Sequence, residues 1–203
     1  MNSSNRIEPG TGRTKRIEYI DALRGFTMFL VVFYHVAFSC LGITLQDSFI
    51  HKGFCQIRMP MFFFVSGFVL YKAGVVWNKS QIISFFKKKI PVQLLSPLLF
   101  FIIYMNVRGL DIATGLWSDP KYGYWFTFVL FEYFVIYVFV RALIRNFWAD
   151  VLLIVIGLLL LPMGWPVLTN SLPVPQKVIM FFSLPHFKFF LYFVVGSLTK
   201  KVF

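Results

Sequence analysis

Charge is scarce in this chain, and negative charge scarcest. Only 14% of its 203 residues are Asp, Glu, Lys or Arg, and only 8 are acidic, against about 25% charged in an ordinary soluble domain. With so little charge, a soluble domain of this length could not hide its apolar surface. Cysteine is nearly absent: Cys40 and Cys55 form no metal or redox spacing and no disulfide framework, so both read as packing residues. No cleavable signal is evident, because the first apolar run is too long and lacks a small-residue cleavage site. There is no internal repeat, and no soluble domain fits between the apolar runs. No metal-ligating cluster is present, so no metal is expected.

What is there is apolar and aromatic. Hydrophobic residues make up 58%, aromatics 20%, and Phe alone counts 27. Mean hydropathy is +0.73. Disorder requires low hydrophobicity and is excluded. The class that remains is all-α: a polytopic integral membrane helix bundle. The net charge of +12 would suggest nucleic acid in a soluble protein. Here the basic residues stand in short clusters between apolar runs, the pattern of membrane topology. A lipid bilayer is the expected partner and nucleic acid is not.

A spanning helix needs about 20 mostly apolar residues. Residues 1–15 read as a polar tail, and the domain follows over 16–203. Six spans are expected, near 25–46, 59–77, 90–107, 122–140, 151–163 and 186–199. Pro97 should kink the third. The fifth is short, and the sixth is the least distinct. With the N-terminus inside, the inner side holds most of the Lys and Arg, including Lys87, Lys88, Lys89, Arg141, Lys200 and Lys201. That bias puts both termini on the cytoplasmic side.

The first span opens with Asp21-Ala-Leu-Arg24-Gly25 and continues to His35. Asp21 and Arg24 are three apart and can pair on one helix face. Arg24 to His35 is close to three helical turns, so the three side chains form one stripe, with His35 roughly 16 Å deeper than Arg24. Ionisable groups on one stripe of an apolar helix face protein or a wet cavity rather than lipid. The plainer readings are a surface ion pair for Asp21 and Arg24 and an interhelical hydrogen bond for His35. An imidazole at mid-bilayer is costly enough to make function the default.

The run from Asp21 to Gly25, with His35 following, resembles the opening signature of the acyltransferase family 3 membrane proteins, which include O-acetylases of bacterial surface polysaccharides. Other stretches agree in order. Residues 59–68, with Ser66-Gly67, resemble the family's Phe-rich second helix. Phe85-Phe86-Lys87-Lys88-Lys89 ahead of Pro97 resembles its basic inner loop. Gly123-Tyr124-Trp125-Phe126 resembles its Trp-Phe helix start, and 189–196 a later Phe-rich helix ending in Gly. Two departures stand out. The family usually carries Arg in the inner loop, where this chain has lysines and Gln93; Lys binds phosphate as a point charge without the bidentate fork. Family chains are also generally longer, which implies a truncated or split member.

The resemblance implies acyl transfer, most often acetyl, from cytoplasmic acyl-CoA to a carbohydrate hydroxyl in a bacterial inner membrane. No bound cofactor is implied; acyl-CoA is a substrate. His35 is the expected base, since a neutral imidazole suits that task near pH 7. Arg24, with Lys88 and Lys89, is expected to hold the donor phosphates, and Asp21 to hold Arg24. Ser66, Trp125 and Glu132 are candidate pocket residues. Ser66-Gly67 reads equally as a small-residue helix contact, and Trp125 as part of an interfacial belt with Tyr122 and Tyr124. Glu132 should face inward, pairing with a polar group on another helix or staying protonated. His186 and Lys188 read as anchors, or as contacts to an acceptor sugar. Two rival readings are a proton-coupled transporter or flippase, which would show paired broken helices in two related halves, and a non-catalytic remnant.

Overall fold

In the computed structural model, the described residues are 18–39, 49–72, 75–118, 121–144, 146–162 and 175–202. The tail at 1–15 and Cys40 lie outside them. Of His35 and Cys55 only the backbone is described.

The described residues form helices and no strand. In chain order these are α1 (Glu18–Ser39), α2 (Phe49–Leu70), α3 (Lys79–Ile90), α4 (Ser96–Val107), α5 (Ile112–Leu116), α6 (Trp125–Leu143), α7 (Phe147–Leu160), α8 (Gln176–Phe181) and α9 (Phe190–Val202). Lys79–Val107, which joins α3 to α4, and Trp125–Leu143 are long and apolar enough to cross a membrane. Gln56–Leu70 and Phe147–Leu160 are apolar but shorter. Two helices of spanning length among the described residues thus stand where six spans were expected.

Helix α3 does not end before α4. A wide π turn, Pro91–Leu95, joins them, and the Ser96 amide donates to the Pro91 carbonyl five residues back. The sequence placed a kink at Pro97. Its missing N–H leaves the Gln93 carbonyl without the usual donor four residues on, and the irregularity is taken up by this wider turn just before it. After α4, Asp111 caps α5 by accepting from the Thr114 amide at 2.7 Å and the Thr114 hydroxyl at 2.6 Å. Those two donors hold the Asp111 carboxyl below its usual range.

The core lies between α2, α6, α7 and α9. Phe63, Tyr133, Phe190 and Phe193 are fully buried there. Tyr133 is the hub, with ring centroids 5.0 Å from Phe63, 5.1 Å from Phe190 and 5.7 Å from Phe193. Two glycines let α2 and α9 touch backbone to backbone. A Cβ on Gly67 would lie 1.9 Å from the Phe193 carbonyl oxygen, and one on Gly196 1.9 Å from that of Phe64. The reciprocity makes this a small-residue crossing, which permits close approach where lipid supplies no hydrophobic drive between helices. On α7, Gly157 packs against Leu191 of α9 in the same manner, with less crowding.

At one end of this block a buried carboxylate ties three helices. Asp150 of α7 pairs with Arg141 of α6 and, at 2.6 Å, with Lys201 of α9. At the opposite end Lys121 is buried and donates to the Met180 carbonyl at 2.7 Å and the Ser183 hydroxyl at 2.6 Å. Lys121, Tyr122 and Ser183 all have positive φ, so this buried cation pins two strained turns.

Helices α1 and α4 are held more loosely. On α1, Ile20, Thr27, Leu30 and Val31 are buried, whereas Phe26, Phe29, Val32 and Phe33 are at least half exposed. On α4 only Phe101 and Met105 are buried. Rows of exposed apolar side chains suit contact with lipid tails.

Candidate functional site

The space between the loosely held α1, the α3–α4 helix and the packed block is a cavity of about 730 Å³. That volume falls in the range of small-molecule sites. Arg24, Lys72, Lys88 and Lys89 stand at its cationic end. From there it follows α2 back to Phe62 and α6 back to Phe126 and Thr127. Phe62 to Leu70 and Phe126 to Phe134 are eight residues each, so the cavity runs roughly 12 Å along both helices. It is a deep trough, charged at one end and aromatic at the other.

Each cation reaches it by a different route. Arg24 projects from α1 with its side chain 57% exposed, and its Nη1 lies 4.0 Å from Asp21 Oδ1. At that distance the pair is at the outer limit of an ion pair and is largely screened. Lys89 is half-buried: its ammonium lies 4.8 Å from the Phe134 ring centroid and 5.9 Å from that of Phe85. Such cation–π contacts partly replace lost hydration. The charges of Arg24 and Lys72 both reach Lys89. Lys88 is exposed. The cations outnumber the carboxylates here, and their mutual repulsion favours a bound anion.

Hydroxyls line the trough beyond the cations. Ser66 donates to the Phe62 carbonyl at 2.8 Å, and Thr127 to the Tyr124 carbonyl at 2.8 Å. Thr27 is fully buried and bonds back to the carbonyls of Leu23 and Arg24. Each spends its proton on its own helix and keeps its oxygen as an acceptor. Gly67 makes the helix crossing, and Ser66 beside it lines the cavity.

The structure gathers Arg24, Lys88, Lys89 and Ser66 around one space. Asp21 stands beside Arg24 one turn away. The backbone of His35 lies in α1, deeper along the same helix, and its side chain is outside the described residues. Trp125 and Glu132 do not join the trough. The Trp125 ring is stacked on His186, with centroids 3.7 Å apart and planes 18° apart, so that face is closed to a ligand. Glu132 is half-buried within reach of the Lys121 charge, and its buried Oε2 has no hydrogen-bond partner among the described residues. Tyr133 donates to the His186 carbonyl at 2.8 Å. These residues form a packed polar cluster at the end opposite the cations, set apart from the cavity.

Sequence reasoning passed over Lys72, Gln81 and Ser84, which also line the trough. Lys72 follows a long apolar run, where a cation looks like an ordinary interfacial residue. Its position just beyond α2, on the same side as the Lys88-Lys89 pair, was the available signal.

The family model described as an acyltransferase domain matches residues 17–203. No curated protein and no solved structure matches the chain. The match covers nearly the whole sequence, and the chain belongs to acyltransferase family 3, a family of membrane proteins.

Proposed function

We propose that this acyltransferase family 3 protein moves an acyl group, most simply acetyl, from acyl-CoA to a hydroxyl of a carbohydrate at a bacterial cytoplasmic membrane, with its N-terminus inside. The observation that carries the reading is the trough itself: four cations crowd one end of a cavity whose remainder is apolar and hydroxyl-lined. A CoA thioester has the matching form, several phosphate charges followed by a long, thin, mostly uncharged arm.

In this reading Arg24, Lys88 and Lys89 hold donor phosphates, and the pantetheine arm lies along α2 and α6. Arg24 supplies a planar fork that grips an oxyanion; the lysines supply point charges. Asp21 biases the Arg24 rotamer. The His35 imidazole takes the proton of the acceptor hydroxyl as its oxygen attacks the thioester carbonyl carbon. The C–S bond breaks, the thiolate leaves and is protonated, and an ester and free CoA result. Ser66, near the middle of the trough, contacts the arm in this reading.

The test is transfer of labelled acetyl from acetyl-CoA to carbohydrate in membranes that hold the protein. His35→Ala should lower turnover by roughly 10²–10⁴ while protein level and acyl-CoA affinity stay near normal. Unchanged turnover in His35→Ala would refute the base assignment and leave the imidazole as a packing group.

A further inference from the structure

A second, smaller cavity of about 100 Å³ adjoins the trough and shares Leu70, Lys72, Val75 and Trp77 with it. Its remaining walls are Tyr71, Tyr137 and Arg141. We propose that this side chamber is an anion subsite for a single phosphate group, in which Lys72 and Arg141 hold the terminal phosphate monoester of the donor.

Size comes first. A water takes about 30 Å³ in the liquid, so the chamber holds a few waters or one phosphate, and no nucleoside. Charge comes second. Asp150 is the carboxylate at this end of the block, and Arg141 and Lys201 share it. One negative charge between two cations leaves the group positive. Lys72 adds a further charge and makes no ion pair among the described residues. Lys200 stands near enough to feel Lys72, with its ammonium 5.4 Å from the Phe68 ring centroid. A dianion in the chamber would relieve repulsion that nothing else described there relieves.

Geometry comes third. Arg141 is held by Asp150 on one side and lies over the Tyr137 ring, 5.5 Å from its centroid. Its Nε is buried without a hydrogen-bond partner. A fixed guanidinium with unspent donors is prepared for an oxyanion. Lys72 lines both cavities and so stands at the doorway between them. A ligand with one phosphate group in the trough and another in the chamber would bridge past it. Coenzyme A carries a diphosphate and a separate phosphate monoester, which suits two positions. A lipid phosphate could present the same chemistry at this membrane edge.

The inference rests on the acyl-CoA reading above, and the experiment separates the two. Binding of CoA and of 3′-dephospho-CoA to the purified full chain would be measured by calorimetry in phosphatidylcholine nanodiscs. The unaltered protein should bind CoA roughly tenfold more tightly than dephospho-CoA, the effect of about one charge-assisted contact. Lys72→Gln should remove most of that preference, weakening CoA binding far more than dephospho-CoA binding, since Lys72 borders the trough as well as the chamber; Lys79→Gln, a charge loss away from both cavities, should preserve it. Equal affinity of the unaltered protein for both ligands overturns the subsite and leaves the donor reading standing. Binding of neither ligand overturns the donor reading and this assignment with it. Loss of CoA preference when phosphatidic acid is added to the nanodiscs, with Lys72→Gln insensitive to that lipid, would give the chamber to a lipid headgroup and overturn the donor assignment.

Discussion

Two Arg–Asp pairs stand at the same end of this protein in opposite settings. Arg141 and Asp150 are 13% and 5% exposed and join α6 to α7, with Lys201 bringing in α9. Arg24 and Asp21 are 57% and 36% exposed, belong to one helix and meet only at 4.0 Å. The first pair sits inside the aromatic block, where helices touch through glycine. The second sits on a helix that buries a few side chains against α2 and borders a cavity. The same two residue types thus serve as a structural tie in the block and as a rim group on the arm. A rigid block beside a loosely held arm is an arrangement in which binding groups can adjust to a ligand without repacking the core.

The block should fail first when its tightest contact is filled. Gly196→Ala places a Cβ against the Phe64 backbone, which cannot rotate aside as a side chain would. The expected cost exceeds the roughly 1–3 kcal/mol of ordinary overpacking, with loss of folded protein by size exclusion in detergent. Gly53→Ala adds the same methyl where nothing lies within 4 Å and should be neutral. Equal recovery of the two variants would mean that α2 and α9 do not cross as described.

Next in size is the contrast between the two aspartates. Asp150→Ala strands Arg141 in the block and should cost about 3–5 kcal/mol, as removing one partner of a buried pair does. Asp21→Ala should change stability by less than about 0.5 kcal/mol, since exposed pairs contribute little. Thermal unfolding of both variants in one detergent decides it. A larger loss at Asp21 than at Asp150 would reverse the assignment of tie and rim.

The sequence made much of this legible and hid the rest for identifiable reasons. Helices were readable because apolar runs and their basic borders are one-dimensional signals. Arg24, Lys88 and Lys89 were readable as candidates because charge near an apolar run is conspicuous. Asp150 was not, because one acidic residue at a helix start looks like an ordinary first-turn residue; only folding reveals Arg141 and Lys201 around it. Lys121 resembles an ordinary loop cation in sequence, yet it is 2% exposed and bonded to Met180 and Ser183, about sixty residues away along the chain. Trp125 and Glu132 sit two turns apart on one helix face, and spacing alone does not show which way that face points. The spans were placed from hydropathy alone, and α2 begins at Phe49 where 59 was expected, because its first turns carry polar residues that hydropathy scores against.

The smallest effect lies within the basic run itself and sharpens the comparison at the scale of neighbouring residues. Lys88 and Lys89 are adjacent, carry the same charge and line the same cavity. Lys88 is solvent-exposed, whereas Lys89 is half-buried against Phe85 and Phe134. Salt screens exposed charges beyond about 8–10 Å near physiological ionic strength and screens partly buried ones less. Lys88→Gln should therefore weaken acyl-CoA binding by roughly twofold to fivefold at low salt, the range of a surface pair, and by almost nothing in concentrated salt. Lys89→Gln should weaken it more, and the difference should persist as salt rises. It should also lower stability slightly, because the aliphatic stem of Lys89 covers apolar surface. Calorimetric binding titrations at two ionic strengths measure both effects. If the two variants respond to salt alike, Lys89 has no protected contact with the donor and the cationic end acts only as a diffuse field.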